Sequence, residues 1–183
     1  MKSRVYFFLF LFCSAFLISY IHRAHAEEPY PTLWTEQMGT STTDYAHSVA
    51  VDNAGNAYVT GFTYGGLDGN TNAGDRDIFL VKYDANGNKL WTEQIGSLNY
   101  DVPLSVAVDG AGNAYVAGYT WGGLDGNTNA GAEDIFLVKY DASGNKLWTR
   151  QMGTISTDHA HSVAVDGAGN TFVVGGTLVS CQP

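Results

Sequence analysis

Two near-identical loops carry oxygen side chains at alternate positions and are the first residues to suggest chemistry. Asp68, Asn70 and Asn72 form the pattern D-x-N-x-N, and Asp77 follows as a further carboxylate. Calcium prefers several oxygen ligands, and alternation aims them at one point, so the pattern is typical of the opening of a calcium loop. The second loop repeats the same residue types at Asp125, Asn127, Asn129 and Asp134.

A calcium site has to be weighed against an ordinary turn. Ala73 stands where the helix–loop–helix calcium motif has glycine, and Phe79 stands where that motif needs a bidentate glutamate. The sequence favours the alternative, a long Gly/Asn turn whose Asp and Asn side chains cap their own backbone. Calcium is therefore the one cofactor that we keep as a candidate, and the eight oxygen residues are its candidate ligands.

An aromatic residue precedes each loop. Tyr64 stands before the first and Trp121 before the second, and each is followed by two glycines. A ring beside two glycines could be an open platform for a sugar, so both are candidate ligand platforms. Packing at a rim or between repeats is the more common use of such side chains.

A Ser–His–Asp arrangement is suggested by Asp44, His47 and Ser48, and the pattern returns at 158–162. Neighbouring side chains on a strand point to opposite faces, which prevents a hydrogen bond between His47 and Ser48. The sequence contains no P-loop, H-E-x-x-H, C-x-x-C or G-x-S-x-G motif. We therefore predict no catalytic residues and expect that the protein is not an enzyme.

All of these residues lie in a unit that repeats every 57 residues. The segment Leu33-Trp34-Thr35-Glu36-Gln37 returns unchanged at 90–94 and with one substitution at 147–151. The first two copies are identical at 42 of 57 positions. Such a period is the signature of a repeat architecture. The copies span 33–89, 90–146 and, in part, 147–183.

Each copy predicts four β-strands and no helix. In the first copy the β-branched and aromatic segments are 48–52, 57–63, 77–84 and 89–94, separated by Asn/Gly turns and one long loop. Four antiparallel strands per repeat favour a β-propeller blade. A β-helix has shorter repeats, and a flat sheet would leave long exposed edges.

The repeat resembles the SBBP-type bacterial β-propeller repeat family. The resemblance rests on Asp52 to Gly61 and on Asp77 to Trp91, and the second copy matches at 109–118 and 134–148. It implies an exported or cell-surface bacterial protein whose blades close as a ring, with no catalytic site common to the family.

The number of copies falls short of a ring. We predict a leading fourth strand at 33–38, two full blades at about 47–95 and 104–152, and two strands at about 161–177, or about 2.75 blades. Repeat units bury their faces on neighbours. Either the chain is a truncated piece of a longer propeller, which the off-pattern ending at 178–183 favours, or it assembles with other copies to complete the ring.

The N-terminus has the layout of a secretory signal peptide. Lys2 and Arg4 precede an apolar run at 5–21, and an A-x-A pattern ends at Ala26. We predict a signal peptide at 1–26, a repeat domain at 27–183 and a secreted, periplasmic or cell-surface location. An uncleaved membrane anchor is the alternative. Cleavage would leave six basic and 18 acidic residues, a net charge of −12, which repels nucleic acid and anionic lipid.

These features together predict an exported binding or structural module without catalysis, which presents loops to a protein or glycan. The alternative is part of a propeller enzyme, a hydrolase or lyase acting on glycans, with a site assembled from several blades. A non-functional gene fragment is the third hypothesis.

Overall fold

The computed structural model describes residues 34–178, which form ten β-strands and two short 3-10 turns. The predicted leader at 1–26 lies outside the described residues. Within the described part of the chain, no helix is long and apolar enough to span a bilayer.

The 3-10 turns, Leu67–Gly69 and Leu124–Gly126, lie in the two long loops. The strands are β1 Asp44–Val51, β2 Ala57–Thr63, β3 Asp77–Tyr83, β4 Lys89–Ile95, β5 Asp101–Val108, β6 Ala114–Thr120, β7 Asp134–Tyr140, β8 Lys146–Met152, β9 Thr157–Val165 and β10 Thr171–Leu178.

The strands form two four-stranded antiparallel sheets and one hairpin. Blade 1 has the order β1-β2-β3-β4, blade 2 has the order β5-β6-β7-β8, and β9 pairs with β10 in what we call the terminal hairpin. This confirms the predicted all-β class with propeller blades. The described blades form an incomplete ring that is not closed.

The first strand of each blade is longer than predicted because it contains a bulge. β1 begins at Asp44, four residues before the predicted start at Ser48, and its pairing with β2 shifts between Ala46 and Ser48. The shift interrupts the alternation of side chains, so a search for alternating residues does not detect the first part of the strand. Pro103 occupies the bulge of β5, a position that tolerates a residue without a backbone donor.

The predicted leading strand at 33–38 is not formed in its described part, although two of its side chains pack against blade 1. Residues 34–38 have no strand conformation. The Trp34 ring stacks on Tyr83 at 5.9 Å, and Met38 joins the same apolar cluster. Within the described residues no third strand lies beside this segment, so it has no ladder of hydrogen bonds to hold it extended.

The main core lies between blades 1 and 2. Tyr58 and Leu80 from blade 1 and Val116 and Phe136 from blade 2 are buried in one cluster. The Tyr58 hydroxyl also donates a hydrogen bond to the Gly112 carbonyl across the junction at 3.0 Å. Burial of large apolar side chains is the dominant stabilising contribution, so each blade depends on its neighbour.

The terminal hairpin packs on blade 2 in the same way but covers less of it. Ala160 and Val163 of β9 are buried with Tyr115 and Ala117 of blade 2. Within the described residues the opposite face of blade 1 is covered only in part: Trp34 and Met38 pack against its β2 and β3 side chains, whereas the side chains of β1 are open. Val49 is 49% exposed, whereas its counterpart Val106 in blade 2 is 6% exposed because β5 lies against blade 1.

Candidate functional site

The two ends of each blade have different roles. The turn end carries the β1–β2 and β3–β4 turns and their counterparts. In each turn an aspartate accepts hydrogen bonds from the backbone two and four residues later and from an asparagine side chain, as Asp84 does from Asn86 and Asn88. These bonds, led by that from the Asn88 side chain, lower the pKa of Asp84. Residues 34–178 contain five copies of this turn, at 52–56, 84–88, 109–113, 141–145 and 166–170.

The opposite end, which we call the long-loop end, carries the long loops and the start of the first strand of each blade. Gln94 of β4 fastens the first loop with both ends of its amide. Its Oε1 accepts the Leu67 N–H at 2.9 Å, and its Nε2 donates to Gly65 O at 3.1 Å and to Asp77 Oδ2 at 3.0 Å. Gln151 makes the equivalent bonds in blade 2.

The first candidate calcium loop uses its oxygen side chains for local bonds. Asp68 pairs with Lys89 at 2.6 Å and accepts a hydrogen bond from Thr92. Asn72 accepts the Gly74 N–H, and Asp77 accepts the Ala73 N–H. The remaining candidate, Asn70, donates to the Leu67 carbonyl.

The second loop repeats this arrangement. Asp125 pairs with Lys146 and accepts from Thr149, and Asp134 accepts the Ala130 N–H at 2.8 Å. Among the described residues, no group of three or more His, Cys, Asp or Glu side chains is placed to hold a metal ion. Asn127 donates to Leu124 O, and Asn129 donates to the carbonyls of Trp121 and Gly131.

Calcium binding by these loops therefore stays a prediction, and the geometry favours backbone capping. A cation at Asp68 would have to displace the Lys89 ammonium group. We expect the same melting temperature in EDTA as in millimolar calcium. A melting temperature that falls in EDTA, with a smaller fall in Asp68→Ala, would instead show that the loops bind calcium.

The suspected triad residues are directed to different partners. His47 Nδ1 lies 2.6 Å from the Pro103 carbonyl and donates to it. The Ser48 hydroxyl accepts the Val106 N–H, and the Asp44 carboxylate accepts the Thr40 N–H. All three therefore fasten strand or loop backbone in the described structure.

Differences between the two complete copies are concentrated at the long-loop end. Residues 33–89 and 90–146 differ at 15 of 57 positions. Three of these differences, at 53, 60 and 86 in the first copy, lie in the turns or in mid-strand. The other twelve belong to the long-loop end, at 38, 40, 41, 42, 43, 45, 46, 47, 62, 64, 75 and 76.

The junction of blades 1 and 2 at this end is built around Arg76. Its guanidinium carbon lies 4.7 Å from the ring centres of Phe62 and Tyr100 and 5.2 Å from that of Tyr64. Its Nε also donates to the Tyr64 hydroxyl. Aromatic faces attract a cation, so Arg76 links two blades through rings.

The junction of blade 2 and the terminal hairpin replaces this cation with Glu133. Glu133 accepts from Trp121 Nε1 at 2.6 Å and lies 2.7 Å from His159 Nε2. The His159 ring stacks on Tyr119, with ring centres 3.9 Å apart. The same repeat position thus holds a cation among rings at one junction and an anion among ring N–H groups at the next.

The two candidate platforms are not equivalent. Trp121 is 48% exposed and packs edge-on against Tyr100. Tyr64 is half-buried and is held by Phe62 and Arg76. Sequence reasoning did not single out Arg76 or Glu133 as site residues, although the difference between the two copies at this position marked it.

Comparison with known proteins matches the repeat three times. A family model described as a β-propeller repeat, SBBP, covers 33–68, 90–125 and 147–180. The chain is 31% identical over 143 residues to regulatory protein FlaEY of Caulobacter vibrioides, covering 70% of this chain and 15% of that protein. It is 32% identical over 108 residues to uncharacterized WD repeat-containing protein L264 of Acanthamoeba polyphaga mimivirus, covering 47% of this chain and 8% of that protein.

The chain therefore spans only a small part of the length of these two relatives. The three family matches fall in register with the 57-residue period and together cover more than half of the sequence. With the blade topology already described, they show that the protein belongs to the SBBP β-propeller repeat family.

Proposed function

We propose that this protein is a non-catalytic binding module, exported to the cell envelope or exterior, whose long-loop end recognises a protein or glycan. The observation that carries the proposal is the concentration of twelve of the 15 differences between copies at that end. A scaffold needs the same residues in every blade, whereas a surface that contacts one ligand needs different residues at different places.

The chemistry of the long-loop end supports recognition. Trp121 is an exposed aromatic side chain with an acidic neighbour, Glu133, at its ring N–H. Tyr45, 41% exposed, adds an aromatic side chain at the same end of blade 1. Aromatic side chains give large contact area at low entropic cost, which is typical of recognition surfaces. The relative from Caulobacter carries the name of a regulatory protein, which agrees with binding in place of catalysis.

The test compares one variant at each end of blade 2. The wild-type protein, Trp121→Ala and Ser143→Asn are used in a glycan array and in pull-down from the secreted and envelope fractions. Ser143→Asn restores the residue of the first copy at the turn end and should leave binding unchanged. Trp121→Ala should weaken capture of the wild-type ligand by at least about tenfold.

Equal losses in both variants would contradict recognition by the long-loop end. Turnover of any glycan by the wild-type protein would contradict the absence of catalysis and favour the enzyme alternative. Loss of turnover on removal of His47 or His159 would then locate the site.

Export is tested separately. We expect the protein recovered from the periplasm, cell surface or medium to begin at Glu27, because the A-x-A pattern ends at Ala26. Protein that keeps Met1 and sediments with membranes would instead support an uncleaved anchor.

A further inference from the structure

An apolar groove lies between blade 2 and the terminal hairpin. Its walls include Ile135 and Leu137 of β7, Met152 of β8, and Val173 and Gly175 of β10, and its volume is about 320 Å³. Within the described residues β10 pairs with β9 alone, so its other edge lies free beside the groove. An unpaired strand edge is a template for a further strand.

The same position is filled elsewhere in the molecule by a third strand. β3 pairs with β2 and β7 pairs with β6, placing Phe79 opposite Gly61 and Phe136 opposite Gly118. A Cβ at Gly61 would clash first with the Tyr45 carbonyl of β1 and also with the Phe79 ring at 2.7 Å, so the glycine leaves room for both the bulge of β1 and the aromatic side chain. Gly175 is the equivalent glycine in β10.

The groove walls are also equivalent. Ile78 and Leu80, the counterparts of Ile135 and Leu137, are about 1% exposed and share a cluster with Phe136. Ile135 and Leu137 are only partly buried. The groove thus has the same apolar side chains and the same glycine that surround a phenylalanine between blades 1 and 2.

We propose that this groove and the free edge of β10 bind, in trans, an extended polypeptide segment with the Ile-Phe-Leu-Val pattern of the third strand. The segment would run antiparallel to β10, with its phenylalanine opposite Gly175 and its second β-branched residue, valine, opposite Val173. This register is that of β7 on β6, where Val138 lies opposite Val116. The partner is a chain that offers such a strand, and the proposal does not depend on ligand binding at the long-loop end.

The first test uses a fluorescein-labelled peptide with the sequence of residues 132–142, whose acidic residues keep it soluble. We expect saturable binding to the full protein by fluorescence anisotropy. The same peptide with alanine at the position of Phe136 should bind at least about tenfold more weakly, because the groove accepts the ring. Equal affinity of the two peptides, or no saturable binding, would overturn the proposal.

The second test places a charge on either face of β10. Val173 lines the groove, whereas Val174 points to the opposite face. Val173→Asp should abolish peptide binding, and Val174→Asp should keep it within about threefold. Circular dichroism shows whether each variant folds, and the peptide comparison does not depend on either. A different result would overturn the proposal and assign the groove to a second copy of the chain. In that result the protein self-associates, Val173→Asp removes the self-association, and excess peptide does not compete with it.

Discussion

At the scale of single residues, the glutamine of β4 and β8 explains why the Leu-Trp-Thr-Glu-Gln segment is nearly identical in every copy. Gln94 satisfies two backbone groups of the long loop and one oxygen of Asp77, which is 1% exposed. The other oxygen of Asp77 is buried and has no hydrogen-bond partner in the described structure. The buried carboxylate therefore depends on Gln94 and on the Ala73 N–H.

Gln94→Glu should lower the free energy of unfolding by about 2 kcal/mol or more at neutral pH, because it replaces a donor to Asp77 with a second carboxylate. The loss relative to wild type should shrink as the pH falls, since a protonated carboxyl can donate again. Urea unfolding at two pH values measures both effects. The control is Glu93→Gln, which removes a carboxylate at the neighbouring position. It should lower the free energy of unfolding by less, because burial already disfavours the Glu93 charge and raises its pKa. Equal losses would contradict the role of Gln94.

The turn aspartates should make the free energy of unfolding depend on pH in the acid range. The Asn145 side chain and nearby backbone N–H groups lower the pKa of Asp141 from its usual 3.8. A lowered folded-state pKa gives stability that is present above about pH 3.8 and is lost as the pH falls through the folded value.

Asp141→Ala should therefore lower the melting temperature at pH 7, and its difference from wild type should shrink below about pH 3.8. The control is Asp75→Ala, an exposed change of the same charge that copies the residue of the second repeat, Ala132. It should leave the melting temperature nearly unchanged. A gap between Asp141→Ala and wild type that stays constant across the pH range would contradict this account.

At the scale of elements, the junctions between blades are not interchangeable. The position that holds Arg76 at the first junction holds Glu133 at the second, and the partners change with it, from Tyr100 to His159. Each charge therefore fits its own neighbour, which specifies the order in which the blades pack.

Glu133→Arg should loosen the terminal hairpin and leave blade 1 intact. The change removes the acceptor for Trp121 and His159 and places a cation beside His159. Hydrogen exchange should show protection in β9 reduced by about tenfold or more, while protection in β1 is unchanged. A uniform change in both strands, or none in β9, would contradict the assignment of this contact to the second junction.

Strands and turns were predictable because they depend on local patterns. The Asn/Gly turns and alternating residues gave β2, β3 and β4 to within a residue. The start of β1 was not predictable, because a bulge interrupts its alternation of side chains. The conformation of 34–38 was not predictable either, because it depends on whether a third strand lies beside it. The ring contacts of Arg76 and Glu133 were not either. They depend on Tyr100 and His159, which belong to the next blade and to the terminal hairpin, and no local pattern brings such residues together.

At the scale of the whole molecule, the described blades expose apolar surface that neighbouring blades cover elsewhere. Val51 is 56% exposed on the open face of blade 1, and Val174 is 63% exposed on the outer face of the terminal hairpin. These two faces correspond to the sides that meet between blades 1 and 2, so we predict that copies of the chain pack head to tail.

We expect light scattering on a sizing column to show a mass above that of the monomer, rising with protein concentration. Val51→Asp should shift the protein towards the monomer, because it places a charge on the open face of blade 1. Ser143→Asn, at a turn, is the control. A monomer at every concentration would exclude assembly through these faces, and the ring would then need blades from another source.

The separation of each blade into a uniform turn end and a variable long-loop end has an evolutionary consequence. Substitutions at the long-loop end change what the rim presents, and the aspartate turns and interblade core that support the fold stay as they are. A duplicated repeat therefore arrives already able to fold and can diverge at its rim afterwards. Such a scaffold combines mutational robustness with evolvability, because the residues that tolerate change and the residues that maintain the structure lie at different places.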